Sequence, residues 1–388
     1  MAGLRTLVAV EAFEPVVLDV AGIDALIQAL RATGRSVRGP VVAEGVIGRG
    51  DITSVADLPV GWSDEQEAGC YRLRRRDDGA LFAYAVGPHA WQHDLFPARE
   101  RLWRAQHTDS GVRFVPEPSP RVPLALFGVR PCELAALEVL DRVFGEPIQP
   151  GYVARRAAAF VVVAECGFPA ATCFCSSTGT GPGAATGFDI ALTELLDGGH
   201  RFVARPGSKE GARVLGGLPS TPATDVDLTA AEGTIADAAT RQTRRLDTSG
   251  LPALLERTLE SPRWDEVADR CLSCANCTLV CPTCFCHTTE DVTDLDGDVA
   301  ERWRRWDSCF TTAFSYVHGG SIRVSTRSRY RQWLTHKLGT WWDQFGTTGC
   351  TGCGRCITWC PVGIDLTVEA RALRDLDLAV SAATEVSS

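Results

Sequence analysis

The run CLSCANCTLVCP (residues 271–282) decides how this chain is read, because its cysteines return at the same intervals in CTGCGRCITWCP (residues 350–361). Cys271, Cys274, Cys277 and Cys281 are followed by Pro282; Cys350, Cys353, Cys356 and Cys360 are followed by Pro361. The chain has 388 residues, a formal charge of −9 and sixteen cysteines, fourteen of them grouped at 166–175, 271–309 and 350–360. Cys70 and Cys132 stand apart. The opening MAGLRTLVAVEAFEP meets acidic residues early and lacks a small-residue cleavage pattern, so no export signal is read. Thiols kept reduced and clustered in this way point to metal rather than to disulfides. The negative charge argues against nonspecific nucleic-acid binding, and no apolar run is long enough to span a bilayer. A cytoplasmic location is expected.

The C-x2-C-x2-C-x3-C-P spacing is the one with which bacterial ferredoxins hold paired [4Fe–4S] clusters, the fourth cysteine of each run serving the other run's cluster. The expected ligand sets are therefore Cys271, Cys274, Cys277 and Cys360 for one cluster, and Cys350, Cys353, Cys356 and Cys281 for the second. Structural zinc also uses paired C-x2-C, but has no use for the third cysteine or the x3-Cys-Pro ending. Gly352 and Gly354 permit a tight loop in the second run. Between the runs, residues 282–349 form a long insert, locally basic at Arg323, Arg327, Arg329, Arg331 and Lys337. These charges either offset anionic clusters, dock a partner, or line a solvated helix face. Trp303, Trp306, Trp333, Trp341 and Trp342 accompany them and read as core packing. Cys309 has no spaced partner and reads as a buried thiol, with a ligand role as the alternative.

The fold class expected is an α/β N-terminal domain over 1–245 with a parallel βαβ unit, then a linker at 246–261. A mostly α, ferredoxin-like dicluster domain follows over 262–380, with a loose tail at 381–388. Residues 23–34 read as a helix ending at Gly34. The β-branched and apolar runs at 124–129 and 159–165 read as strands, and 133–144 as the helix between them in a right-handed crossover. Residues 207–250 read as a polar surface excursion with one helix. Ser261-Pro262 starts a helix whose Trp264, Val267, Ala268 and Cys271 share a face, and Leu366, Ala370 and Leu373 mark the buried side of a closing helix.

The tetrapeptide TCFC occurs twice, at 172–175 and 283–286. The two copies are expected to do different jobs. If the strands at 124–129 and 159–165 are parallel neighbours, Cys132 and Cys166 lie at the same sheet edge, where α/β folds build their sites. Cys173 and Cys175 can fold back over that edge with both thiols on one side of Phe174. A third [4Fe–4S] cluster is expected there, on Cys132, Cys166, Cys173 and Cys175. The alternative is four buried thiols packing as small apolar groups. In the second copy Cys284 and Cys286 are expected beside the cluster held by Cys281, not as its ligands.

RCLSCANCTLVCPTCFC, RRWDSCFTTAFSYVHGG and RYRQWLTHKLGTWWDQFGTTGCTGCGRCITWCPVGID, with GVRPCELAALEVLD and ECGFPAATCFCSSTGTGP, resemble the dicluster iron–sulfur subunits of two related complexes. One is the β subunit of soluble, NAD(P)-linked nickel–iron hydrogenases (sulfhydrogenases); the other is the dicluster subunit of anaerobic sulfite reductase. The resemblance implies an electron-transfer subunit without catalytic residues of its own. It would pass electrons between the small and large nickel–iron hydrogenase subunits, or sulfite reductase subunits, and a flavin/NAD(P)-binding reductase subunit. A free-standing flavin-dependent iron–sulfur oxidoreductase is the remaining alternative. The chain itself supports a relay: every C-x2-C lies after residue 270 and no nucleophile–base motif is present. Gly179, Gly181 and Ala184 match G-x-G-x-x-A, but Pro182 interrupts them, and a loop beside a cluster is the better reading.

Overall fold

The structure, a computed structural model, describes residues 14–117, 123–145 and 147–386. In chain order its main strands are β1 (Val16–Leu18), β2 (Ser36–Ala43), β3 (Val46–Asp51), β4 (Trp62–Glu67), β5 (Cys70–Arg75), β6 (Arg99–Thr108) and β7 (Gly111–Pro116). There follow β8 (Leu124–Val129), β9 (Phe160–Ala164), β10 (Ile190–Leu195), β11 (Arg201–Pro206), β12 (Thr221–Pro222), β13 (His287–Thr293) and β14 (Val299–Trp306). The largest sheet runs β12-β1-β11-β10-β9-β8-β2-β3. Its centre, β2-β8-β9-β10, is parallel, and the flanking strands are antiparallel. Every residue of β8, β9 and β10 is buried, which is why β8 and β9 read as unbroken apolar runs rather than alternating ones; β10 buries Thr193 and Glu194 as well.

The βαβ expectation holds as to parallel pairing: Ala125 pairs with Phe160 and Leu126 with Val161. The crossover contains the helix Pro131–Phe144 and a second one, Pro150–Ala158. Two cores cover the sheet. Leu26, Ile27 and Leu30 of the helix Val20–Ala32 pack with Phe127, Phe160 and Val162 on one side. Leu134, Leu137 and Leu140 pack with Val161 and Val163 on the other. A third core joins Trp264, Val267, Tyr330, Trp333, Leu338, Ile357, Leu366 and Leu373.

The halves of the chain interlock, and this departs from the sequence reading. The second sheet runs β13-β14-β6-β7, so the insert's hairpin pairs with N-terminal strands, Val299 with Gln106 and Arg305 with Arg99. Arg304, fully buried, pairs with Glu100, which also pairs with Arg155 at 2.7 Å. The C-terminal half is thus not simply a mostly α unit. Nor is 246–261 a free linker, since the helix Leu251–Arg257 buries Leu251, Leu254 and Leu255 in the third core.

Residues 207–250 carry two helices, Lys209–Leu215 and Asp225–Arg241. The closing helix Leu366–Val386 runs through most of the expected loose tail, and residues 387–388 lie outside the described residues, as does most of the opening segment. Trp342 is 46% exposed, not core. Among the described residues, no helix is long and apolar enough to cross a membrane.

Candidate metal centres

The helix Arg263–Arg270 anchors through buried Trp264 and Val267 and ends on Cys271. In the loop that follows, Ser273 and Ala275 take left-handed backbone, φ 52° and 67°. Gly352 and Gly354 take it at the same offsets in the second run, φ 63° and 76°. Each loop closes into a one-turn helix, Asn276–Leu279 and Arg355–Thr358. Asn276 Nδ2 donates to the Trp359 carbonyl at 3.2 Å, tying one run to the other. Cysteines of both runs meet: Cys271, Cys274 and Cys277 line one hollow together with Cys356 and Cys360, walled by Phe310, Tyr330 and Trp333. Cys274 lies exposed at its rim. Burial raises the Cys277 thiol, and Cys271, Cys360 and Cys274 raise it further.

Cys281 is within electrostatic reach of Cys350, Cys353 and Cys356 of the other run, and of Cys277 of its own. Lys337 meets it from the π-helical turn His336–Thr340. Its Nζ donates to Cys281 Sγ at 3.2 Å, Thr283 Oγ1 at 3.1 Å and the Gly349 carbonyl at 3.0 Å. The side chain is 2% exposed. Burial works against its charge, but Cys281, Cys284 and Cys350 outweigh it and hold the ammonium well above the ordinary lysine range. A hydrogen bond from the Cys284 thiol, aided by Lys337, holds Cys281 well below the usual thiol range. The insert's basic residues thus divide. Lys337 faces a centre, and Arg329 is buried against Ser273 Oγ (3.3 Å) of the first loop. Arg327 and Arg331 pair with Glu260 at the surface, and Arg323 donates to Ser315 Oγ.

Another hollow forms at the carboxyl edge of the parallel strands and is lined by Cys132, Cys166, Cys173 and Cys175. Cys132 comes from the first turn after β8, and Cys166 from two residues beyond β9. The backbone at Phe174 is bent rather than extended, and Cys175 opens a short helix. Even so both thiols line the hollow, while Phe174 is buried in the third core. Gln242 Nε2 donates to Cys175 Sγ at 3.2 Å. Burial pushes that thiol up to about 12. Arg130 sits against the same wall, held by the carbonyls of Phe82, Tyr84, Ala164 and Glu165 at 2.6–3.3 Å. Cys353 packs against Cys132 and Cys175, so the second and third centres adjoin.

The two TCFC copies have different surroundings. The first lies on the second cysteine loop: Phe174 N–H donates to the Gly352 carbonyl at 2.8 Å, and Thr180 Oγ1 to the Thr351 carbonyl at 2.7 Å. A Cβ on Gly352 would stand 2.6 Å from Cys175 Cα, and one on Gly354 2.4 Å from the Thr172 carbonyl oxygen. That contact explains why the second loop has glycine where the first has Ser273 and Ala275. In the second copy Thr283 Oγ1 donates to the Gly349 carbonyl at 2.5 Å and Phe285 stacks edge-on against Trp341. Cys284 meets Cys281, and Cys286 meets Cys309. Gly179 caps the helix Cys175–Thr178, and Gly181 lies against Cys175 Sγ. The G-x-G-x-x-A run therefore follows a helix rather than a strand, unlike a dinucleotide fingerprint.

Among the described residues no three His, Cys, Asp or Glu side chains close in tightly enough for a single metal ion. The thiols instead surround hollows, which suits a polynuclear core touching each sulfur from a separate corner. Arg130, Gln242 and the glycine contacts escaped the sequence reading, because nothing in the spacing marks them. A family model for the 4Fe-4S dicluster domain matches residues 270–364. Over 244 residues the chain is 36% identical to sulfhydrogenase 2 subunit beta of Pyrococcus furiosus, covering 62% of this chain and 71% of that protein. No solved structure matches the chain.

Proposed function

The chain belongs to the dicluster iron–sulfur subunit family that includes the sulfhydrogenase β subunit, and on that footing we propose that it relays electrons inside a cytoplasmic hydrogenase. Its neighbours in the complex are the nickel–iron subunits and a flavin/NAD(P)-binding subunit. It carries [4Fe–4S] clusters, and we assign three: Cys271, Cys274, Cys277 and Cys360; Cys350, Cys353, Cys356 and Cys281; and Cys132, Cys166, Cys173 and Cys175. When bound, such clusters take up and release single electrons at potentials set by charge, hydrogen bonds and burial.

The observation that carries the proposal is the contiguity of the hollows. Cys356 of the second set borders the first hollow, and Cys353 packs against two thiols of the third. The residues around them do three things. Phe310, Tyr330, Trp333, Val86 and Pro182 exclude water. Lys337 and Arg130 place a fixed positive charge at the second and third centres. The buried Glu133–Arg355 pair, 2.5 Å apart, joins the residue after Cys132 to the loop of Cys353 and fixes the spacing between those centres.

Iron analysis of the fully loaded protein tests the assignment. About twelve irons per chain are expected, falling toward eight in Cys173→Ser, because each cubane carries four. Eight irons in both proteins refutes the third centre. The isolated chain should be reduced by dithionite but show no turnover of hydrogen or NAD(P)H, and substantial turnover alone refutes the relay reading.

A further inference from the structure

Two thiols outside the three ligand sets face each other. β13 opens at His287, paired with Trp306 at the end of β14, and Asp307 N–H donates to the Cys286 carbonyl at 2.9 Å. The ladder therefore reaches Cys286 on one strand and Asp307 on the other. Cys309 follows two residues later. Its neighbours on both sides are fixed: Ser308 Oγ lies 2.7 Å from Thr278 Oγ1, and Phe310 is buried in the third core. Because Asp307 N–H already bonds the Cys286 carbonyl, this pinned position sets Cys309 beside Cys286, and each thiol falls within electrostatic reach of the other. Both residues are half-buried rather than sealed in a core. A hydroxyl or methyl group would fill either position equally well as packing, which leaves the paired thiols themselves to be explained.

We propose that Cys286 and Cys309 form a reversible disulfide, a redox-sensitive modification site that clamps the entrance of the β13–β14 hairpin beside the second centre. A disulfide requires only that the two Cα atoms stand roughly 4.4–6.8 Å apart with their Cβ atoms facing, which neighbouring segments at the end of an antiparallel ladder can provide. The co-substrate is a low-molecular-weight disulfide. One cysteine, as thiolate, attacks it and releases one small thiol, leaving a mixed disulfide; the second cysteine then displaces the other small thiol. Two S–H bonds and one S–S bond are lost, one protein S–S bond and two small-molecule S–H bonds are formed, and the small disulfide is the species reduced. Forming the bond fastens the segment after β14 to the strand that follows Cys284, whose thiol contacts ligand Cys281. The proposal rests on the ligand assignment above only in that Cys286 and Cys309 are left free.

The test uses the holoprotein, incubated anaerobically with oxidised glutathione, alkylated and mapped by mass spectrometry, with iron measured before and after. The expected result is a cross-linked Cys286–Cys309 peptide two mass units lighter than the dithiol. Dithiothreitol should reverse it, and iron should be unchanged. In Cys286→Ser or Cys309→Ser the remaining cysteine should carry a single glutathione. Separate glutathione adducts on both residues of the wild-type chain, or full alkylation of both, overturns the proposal. So does loss of iron in step with the cross-link, which would make these thiols ligands and thereby also distinguish a wrong ligand assignment from a wrong switch.

Discussion

Replacing Lys337 by methionine removes a buried positive charge, whose Nζ also stands 5.3 Å from the Trp341 ring centre, while keeping an unbranched side chain of similar length. Its Nζ stands 3.2 Å from Cys281 Sγ. At that separation, with an effective dielectric constant of about 20, a unit charge and a unit electron attract by about 5 kcal/mol. The added electron is spread over a whole cluster, so about half of that, ~2.5 kcal/mol, is the working figure. At ~2.3 kcal/mol per 100 mV this corresponds to a midpoint about 100 mV more negative in Lys337→Met, because the reduced state loses its counter-charge. The loss of a donor to the sulfur acts in the same direction. The assay is an anaerobic redox titration followed by electron paramagnetic resonance, on protein whose iron content matches wild type. An unchanged potential, or a shift confined to the centre of the first loop, would refute the assignment of Lys337 to this site.

Cys281→Ser should disturb the centre of the later loop and Cys360→Ser that of the earlier one, read from the paramagnetic signal that survives; each affecting only its own loop would overturn the crossing. Gly352→Ala combines a left-handed backbone, about 1–2 kcal/mol for a non-glycine residue, with a Cβ driven onto the Cys175 backbone. It should cost more than ~2 kcal/mol in chemical denaturation and loosen iron at two centres. Ala275→Gly, at the matching position of the first loop, should be neutral or stabilising by up to ~1 kcal/mol. His93 is pushed down from 6.5 to about 3, first by burial, then by Arg49, His89 and Arg355. The folded chain refuses a proton that the unfolded chain accepts, so its contribution is intact above pH 6.5 and erodes as pH falls toward 3. By pH 5 it should have lost ~2 kcal/mol, and His93→Gln should flatten that part of the denaturation profile.

The parts of this molecule that were legible in sequence are those fixed by local spacing. The cysteine intervals define the loops, and the unbroken apolar runs at β8 and β9 foretold the parallel strands whose edge gathers Cys132 and Cys166. What was not legible depends on contacts between distant residues. Val299 against Gln106, or Gly352 against Cys175, leaves no periodic trace. Lys337 is one of several basic residues in the insert, and only burial separates it from the surface ion pairs of Arg327 and Arg331. The helix Asp225–Arg241 is a different case. Its small polar residues lack an apolar stripe, yet Thr224 and Asp227 form a capping box that could have announced it. The final turns of the closing helix, rich in alanine and serine, hid in the same way.

The pairing of β14 with β6 also bears on how the chain leaves the ribosome. β6 ends at Thr108 and β14 begins at Val299. About 190 residues separate them, which at roughly 5–20 residues per second is about ten to forty seconds of synthesis. Throughout that interval β6 has a hairpin partner on one side and a bare row of backbone donors and acceptors on the other, the kind of edge that recruits strands from other nascent chains. Its charges, Arg99, Glu100, Arg101 and Arg104, serve as gatekeepers during the wait. Once β14 arrives they become the ion pairs of the finished sheet, Arg101 and Arg104 with Glu301, and Glu100 with Arg304. The residues that protect the unfinished chain are the ones that fasten the completed one.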